Sequence, residues 1–525
     1  MHVRHNKEGD MRLYSHVSRG YSGQQVGIEA DLRNGFPGFD IVGLPDGAIK
    51  ESRHRIRSAL RNSGFKFPQE RVLVNLAPAD LPKGGSQIDL AIAVSLAIAV
   101  MRTYRNADIP MLIVGELGLD GTIHRTSGIA AALTCAKRNG CSTFVYPKVC
   151  GAIHDDKLTC IGVSNLGEAI QLIVGHLHAH PPEDGLFHGW PIAKEDAAEG
   201  VTNPFEGVVG MQETIRAMEI AAAGRHDLLL FGPPGAGKTM MATRLKYFLP
   251  PLSERQAEEI AVIYSNLRYM EAPKTPPQRM LSHNTSARAF FGDAGHGIPG
   301  EASLAHYGLL LLDELPSFSV KLLDMVRRVS DCGRVEESGG FEETSFFPAK
   351  FQIVATMNPC PCGGLGQTQA SCVCSANAIR RHWAKIGTPL LDRFEIRLPV
   401  VPETKLEEFP DVERARIAFD SAKSRISAAV ERQNAFWANE PDIERNGDAV
   451  KFGNTGIPPQ IGRILDRLSK IPELAGRSAR GMLSTALVAQ TIAQIADHDI
   501  PSDEELEEAV SYQQYGLRDI YWREI

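Results

Sequence analysis

Leu228-Leu-Leu-Phe-Gly-Pro-Pro-Gly-Ala-Gly-Lys-Thr239 decides the fold of the middle of this chain. Four apolar residues in a row, with no alternation, read as a strand buried on both faces, as in a parallel sheet. The next eight residues, Gly232, Pro233, Pro234, Gly235, Ala236, Gly237, Lys238 and Thr239, fit G-x-x-x-x-G-K-[ST], and Met240–Phe248 continues as a helix. In a strand–glycine loop–helix unit, backbone N–H groups wrap phosphates and the helix N-terminus adds positive potential. Lys238 is then expected to reach the β- and γ-phosphates of ATP, and Thr239 to ligate Mg²⁺.

Two further apolar runs extend the pattern. Leu309–Leu312 ends in Asp313-Glu314. Asp313 is expected to hold Mg²⁺ through water and Glu314 to polarise the attacking water. A pair of acids at a strand end can also simply cap a helix. Phe351–Thr356 ends in Met357-Asn358-Pro359. Asn358 there can orient the lytic water or sense the γ-phosphate, or it can be an Asn in a turn before Pro. Strands alternating with helices predict a parallel α/β sheet.

The flanks read differently. Up to about residue 177, short β-type runs (Val26–Leu32, Phe39–Val42, Val72–Leu76, Met111–Val114, Thr143–Tyr146) alternate with helical spacing at Ile49–Asn62 and Ile88–Met101. His176–Trp190 is rich in His, Pro and Gly and reads as a linker. Beyond about residue 403 the periodicity is helical, over Lys405–Asn434, Pro459–Leu468, Ala479–Ala496 and Asp503–Tyr515. The expected units are 1–177, a linker 178–202, an ATPase core 203–403 and a helical lid 404–525.

The 525 residues carry 56 Lys+Arg and 63 Asp+Glu, a net charge of −7, which excludes a uniformly basic nucleic-acid-binding domain. It does not exclude a local basic channel. The longest apolar run, Ile88–Met101, is too short to span a bilayer, and Met1–Gly23 has no apolar core, so the expectation is a cytoplasmic protein with no membrane partner. Basic residues group at Arg53-His-Arg-Ile-Arg57 with Arg61 and Lys66, at Arg327-Arg328 and at Arg380-Arg381-His382. Each reads equally as a solvated helix face.

Five of the nine cysteines are scattered, whereas Cys360, Cys362, Cys372 and Cys374 cluster as C-x-C-x9-C-x-C. Four soft thiolates suffice for a closed structural Zn²⁺ site, although C-x-C is tighter than the usual spacing. The same residues also read as four reduced thiols in a surface loop. The cluster stands between Asn358 and Arg393.

The glycine loop, Asp-Glu pair, strand-terminal Asn and Leu390-Leu-Asp-Arg393-Phe resemble the AAA+ ATPases, in particular the magnesium-chelatase/MCM branch. That resemblance makes Arg393 an arginine finger reaching a neighbouring subunit's γ-phosphate, or else a surface salt-bridge partner. Ser478-Ala-Arg480 resembles the sensor-2 segment, whose Arg also approaches the γ-phosphate, or else Arg480 too is a surface salt-bridge partner. The motifs Glu219-Ile-Ala-Ala-Ala-Gly224, Gly300-Glu-Ala-Ser-Leu-Ala-His306, Met357-Asn-Pro-Cys-Pro-Cys-Gly363 and Ile41-Val-Gly-Leu-Pro-Asp46 are similar to the ComM/YifB family over almost the whole chain. So are Lys50-Glu-Ser-Arg53 and Val74-Asn-Leu-Ala-Pro-Ala-Asp80. Leu281-Ser282-His283 replaces the family's Pro-His-His, and Ser484 replaces a second Arg after Arg480.

The resemblance implies an α/β protein with a Lon-protease-like α+β N-terminal domain, a P-loop AAA+ parallel-sheet domain and a C-terminal helical lid. It implies a homo-oligomeric ring, a hexamer, that uses ATP and Mg²⁺ for helicase or branch-migration work on branched or single-stranded DNA in natural transformation and recombination. Gly292–Gly300 and a hairpin at Arg334–Phe346 are the expected channel elements. One rival is a magnesium-chelatase-like remodelling ATPase, disfavoured because that resemblance covers only the ATPase part. A second is an ATP-dependent Ser–Lys protease. Ser86 stands at the nucleophile position, but the lysine-base position falls on about Ala130, and Lys137 lies two helical turns farther on. Without an adjacent amine the hydroxyl is not activated.

Overall fold

The computed structural model describes residues 13–101, 110–176, 208, 211–267, 272–336, 346–365, 372–400, 412–438, 443–446, 449–452, 457–474 and 476–515. A mixed seven-stranded sheet organises the first part. Its elements are β1 (Leu13–Val17), β2 (Gln24–Arg33), β3 (Gly38–Val42), α1 (Gly47–Asn62), β4 (Arg71–Ala77), α2 (Asp89–Met101), β5 (Met111–Ile113), α3 (Ile129–Arg138), β6 (Thr143–Pro147), β7 (Thr159–Val163) and α4 (Leu166–His176). The strand order is β3-β4-β2-β1-β5-β6-β7, with β2 antiparallel to both neighbours.

Side-chain alternation sets the two faces. Met111, Ile113 and Val145 join the core with α1, α2 and α4, while Leu112, Phe144 and Tyr146 join a second core under α3. The apolar run at Ile88–Met101 becomes α2, whose first ten residues are all buried. Sequence reading found no apolar core before residue 23, yet β1 lies mid-sheet, paired with β2 and β5. Its polar Ser15 is tolerated because the hydroxyl donates to Ile113 O at 2.8 Å.

The second sheet is wholly parallel. It comprises β8 (Leu228–Phe231), β9 (Gln278–Met280), β10 (Leu309–Leu312), β13 (Gln352–Met357) and β14 (Ile396–Pro399), in the order β9-β10-β13-β8-β14. Between them lie α5 (Gln212–Gly224), α6 (Lys238–Arg244), α7 (Glu254–Ser265), α8 (Val320–Cys332) and α9 (Ala376–Ala384); β11 (Arg334–Glu336) and β12 (Phe346–Pro348) pair antiparallel. Every residue of β8 and β10 is buried, which their unalternated apolar runs require. Short β9 and β14 escaped the sequence reading because Gln278-Arg-Met and Ile396-Arg-Leu-Pro lack such a run. Helices α10 (Val412–Ala438), α11 (Pro459–Leu468), α12 (Ala479–Ile495) and α13 (Asp503–Ser511) pack with α5 in one core. The proposed linker 178–202, the turn at Gly339-Gly340 and the start of the Lys405–Asn434 run lie outside the described residues.

The two sheets are joined through the expected channel elements. Gly20 N donates to Ala294 O at 2.6 Å, Tyr21 N to Phe346 O at 2.8 Å and Gly128 N to Ser265 O at 2.6 Å. Gly292-Asp293 pairs antiparallel with Ile298-Pro299, and Gly297, at φ +68°, lies so close to Ser18 that a side chain there would collide with it. Beside this joint Lys350 N donates to His306 Nδ1 at 2.9 Å, so Nε2 carries the proton and donates to Glu259 at 3.2 Å. That bond, with a second from Tyr307 Oη at 3.0 Å, holds the Glu259 carboxyl down to about 2.

Candidate functional site

The glycine loop closes on itself. Gly235 and Gly237 take φ +80° and +84°, a region costly for residues with a Cβ, and nothing lies within 4 Å of where a Gly235 side chain would start. This open cradle of backbone fits a polyphosphate. Lys238 Nζ donates to Gly232 O (2.8 Å), Pro233 O (2.7 Å) and Asn358 Oδ1 (3.2 Å). Burial pulls the ammonium below its ordinary value, and Asp313 and Glu314 oppose that.

The acids stand where β10 ends. Thr239 Oγ1 and Thr356 Oγ1 both donate to Asp313 Oδ1, at 2.8 and 2.5 Å. Thr356 Oγ1 also accepts from Glu314 N at 3.1 Å. Glu314 holds φ +55°, a conformation that costs a non-glycine residue roughly 1–2 kcal/mol, and its side chain is exposed. His283 Nε2 lies 3.2 Å from Asp313 O, its ring edge-on to Phe318. Thr239 and Asp313 could hold Mg²⁺, and Glu314 is free to meet water. Sequence reading missed Thr356, although a hydroxyl near the end of an otherwise apolar strand is a visible signal.

The cysteines extend this site. Cys360, Cys362, Cys372 and Cys374 have sulfurs all within 4.8 Å of one another, with three separations of 3.4, 3.6 and 3.7 Å. Tetrahedral Zn–S bonds of ~2.3 Å imply sulfur separations of ~3.8 Å, so the donor set fits a structural Zn²⁺. The Gly364 N–H, 3.4 Å from Cys362 Sγ, leads the interactions that draw that thiol down to about 6. The loop touches the nucleotide cradle directly. A Cβ at Gly363 would lie 2.7 Å from Pro234 Cδ. Trp383 Nε1 donates to Pro359 O (2.9 Å), His382 Nε2 lies 3.0 Å from Asn358 O, and Trp383 packs edge-on against Phe231. We expect purified protein to yield one zinc per chain by metal analysis, and the Cys362→Ser/Cys374→Ser variant less than a tenth of that.

Arg393 and Arg480 come together, far from the loop. Both bind Asp331: Arg393 Nη2 in an ion pair, Arg480 Nη1 at 3.3 Å. Arg393 also donates to Pro389 O and is 6 % exposed. Burial works to raise the Asp331 carboxyl, but the two guanidiniums outweigh it and leave it below the usual range. Arg393 precedes β14, whose register with β8 is Leu228↔Ile396 and Phe231↔Pro399. The arginine therefore lies at the N-terminal ends of the parallel strands, whereas the phosphate loop follows their C-terminal ends. Asp331 ends α8, whose 13 residues span ~20 Å from the acidic pair. Sequence reading missed Asp331. A carboxylate in the last helical turn, against the dipole, is its one local signal.

Two family models match the chain. One, described as magnesium chelatase, subunit ChlI, matches residues 204–408, and one described as subunit ChlI of Mg-chelatase matches 28–149. The chain is 34% identical over 506 residues to YifB of Salmonella typhimurium, covering 95% of this chain and 96% of that protein. It is 33% identical over 519 residues to the competence protein ComM of Haemophilus influenzae, covering 95% and 96%. The chain belongs to the ComM/YifB family. Within this family of magnesium-chelatase-like AAA+ proteins, the chelatase likeness reaches the N-terminal sheet. Coverage therefore does not separate the chelatase rival, contrary to the sequence-based expectation.

A putative Lon protease homolog of Thermoplasma acidophilum is 39% identical over 72 residues, 14% of each chain. Ala130 is 5 % exposed and packs with Ala131 against Val262 of α7, and Lys137 is ion-paired with Asp155. Ser86 begins a 3₁₀ turn before α2. Among the described residues no helix is long and apolar enough to cross a membrane.

Proposed function

We propose that this protein is a ring-forming ATPase that drives helicase or branch-migration movement on DNA. The observation that carries the ring is the separation of parts. Lys238, Thr239, Asp313, Glu314 and Asn358 gather at the C-terminal ends of the strands, and Arg393, with Arg480 beside it on Asp331, at the N-terminal ends. An arginine cannot serve the loop of its own chain from there, so hydrolysis uses the arginines of a neighbour. In the ring Asp331 holds both guanidiniums until the neighbour's γ-phosphate takes them. A hexamer is the expected closure of such a head-to-tail contact.

Whole-length similarity to a protein named for competence supports DNA as the substrate, branched or single-stranded. The channel elements at Gly292–Gly300 and β11–β12 meet the N-terminal sheet, so movement of one is transmitted to the other. Bound Mg²⁺ would supply electrostatic stabilisation of the phosphates; Glu314 polarises water, and Asn358, held by Lys238 and His382, orients it. The test measures ATP turnover with and without forked and four-way DNA, together with strand dissociation. DNA stimulation with dissociation is the expected result. Hydrolysis that ignores DNA and separates no strands sinks the motor reading and favours a protein-remodelling ATPase.

A further inference from the structure

The basic groups of the sequence have unequal fates in the fold. Arg327 pairs with Asp324 and Asp331, and Arg328 with Asp324. His382 lies against Asn358 O and Arg381 donates to Asn377 O. Each of these side chains has a partner within the chain. Helix α1 is different. Its 16 residues hold Lys50, Arg53, Arg55, Arg57 and Arg61 against one acid, Glu51. Arg55 pairs with the fully buried Asp89, and Arg53 donates to the carbonyls of Lys50 and Phe39. Lys50, His54, Arg57 and Arg61 remain, all exposed and without an ion pair among the described residues.

Their spacing is i, i+4, i+7, i+11, a single stripe along one helix face. It runs ~16 Å, the axial rise of about five phosphates on one strand of a duplex. Arg57 lies over the Phe67 ring at 5.2 Å, and Phe67 packs on Phe39 at 5.6 Å. Arg57 stays exposed despite that contact. The turn before β3 presents Phe36 at 95 % exposure. α1 packs on the sheet face opposite α3, and α3 is the helix that meets α7. The stripe therefore lies on the side of the N-terminal sheet turned away from the ATPase.

We propose that Lys50, Arg57 and Arg61 form a second nucleic-acid contact, a sequence-independent track for a phosphate backbone on the outer face of the N-terminal sheet. The assignment rests on the DNA reading above and adds to it a contact outside the channel. A net charge of −7 makes this acid-free stripe a local feature, and phosphate contacts of this kind are salt-sensitive.

The test uses the full-length protein and fluorescein-labelled dT oligonucleotides, with binding followed by anisotropy from 50 to 200 mM salt. The Lys50→Ala/Arg57→Ala/Arg61→Ala variant should bind at least tenfold more weakly at 100 mM salt. Its slope of log K against log[salt] should fall by ~2, as three single-strand phosphate contacts at ~0.7 each require. ATP turnover without DNA should equal wild type, since these residues lie far from the nucleotide site, and Lys50→Arg/Arg57→Lys/Arg61→Lys should retain binding. Wild-type affinity and slope in the triple alanine variant would overturn the track while leaving the motor reading standing. A wild type that binds no DNA overturns both. Poly-L-glutamate of equal charge bound as tightly as the oligonucleotide would overturn the assignment in favour of an acidic protein partner.

Discussion

Arg393→Ala should cut ATP turnover by about 10³–10⁵, the effect of removing an arginine finger, with little change in nucleotide affinity. The geometry explains the split. Arg393 is at the end of the strands opposite Lys238, so on the proposed reading it does not serve its own chain's nucleotide. On the proposed reading it stabilises charge that develops on a neighbour's γ-phosphate, which is absent in the ground state. The decisive measurement mixes two inactive variants, Arg393→Ala and Lys238→Ala, in equal amounts. In a randomly mixed ring about a quarter of the head-to-tail interfaces combine an intact loop with an intact arginine. Turnover should recover toward that fraction. Mixtures as inactive as their components, or an Arg393→Ala protein that hydrolyses normally alone, would remove the arginine from the mechanism. Asp331→Asn separates parking from catalysis. If Asp331 merely positions the guanidiniums, its loss should cost far less turnover than Arg393→Ala and leave the mixing result intact.

Much of this site was legible because phosphate chemistry constrains adjacent residues. A loop that wraps phosphates needs its glycines, lysine and threonine in sequence, and apolar strands of the Leu228–Phe231 kind announce their burial. The cysteine spacing likewise announced a cluster, since four sulfurs must converge for a tetrahedral ion. What stayed hidden depends on tertiary contact. Asp331 belongs to an ordinary amphipathic helix, and only the fold brings Arg393, 62 residues on, and Arg480, 149 residues on, to its carboxylate. β1, β9 and β14 are short and carry polar residues, so their identity comes from pairing and not from pattern. The basic runs looked alike in sequence. The fold separated them by placing carboxylates or carbonyls beside Arg327, Arg328 and Arg381 and, among the described residues, none paired with Arg61. Ala130 shows the reverse case. Its identity alone argued against a protease base, and in the structure it is buried against Val262 of α7.

Glu314→Gln should bind ATP with near wild-type affinity and lose about 10²–10⁴ in turnover, the range for removing a base that acts in the transition state. Lys238→Ala should instead lose measurable binding of a fluorescent nucleotide. The two phenotypes separate because the side chains do different work. Lys238 is buried and ties Gly232, Pro233 and Asn358 together, so it shapes the cradle before any ligand arrives. Glu314 is exposed and makes no side-chain hydrogen bond among the described residues. Its strained backbone is secured by Thr356 Oγ1, which also donates to Asp313. Thr356→Val, which keeps the shape and removes the hydroxyl, should therefore lower turnover with Glu314 still present, and raise the Mg²⁺ concentration needed for half-maximal rate. An unchanged Mg²⁺ requirement in Thr356→Val would show that Thr239 alone places Asp313. Glu314→Gln that fails to bind nucleotide would show the carboxylate shaping the cradle, and water polarisation would then need another residue.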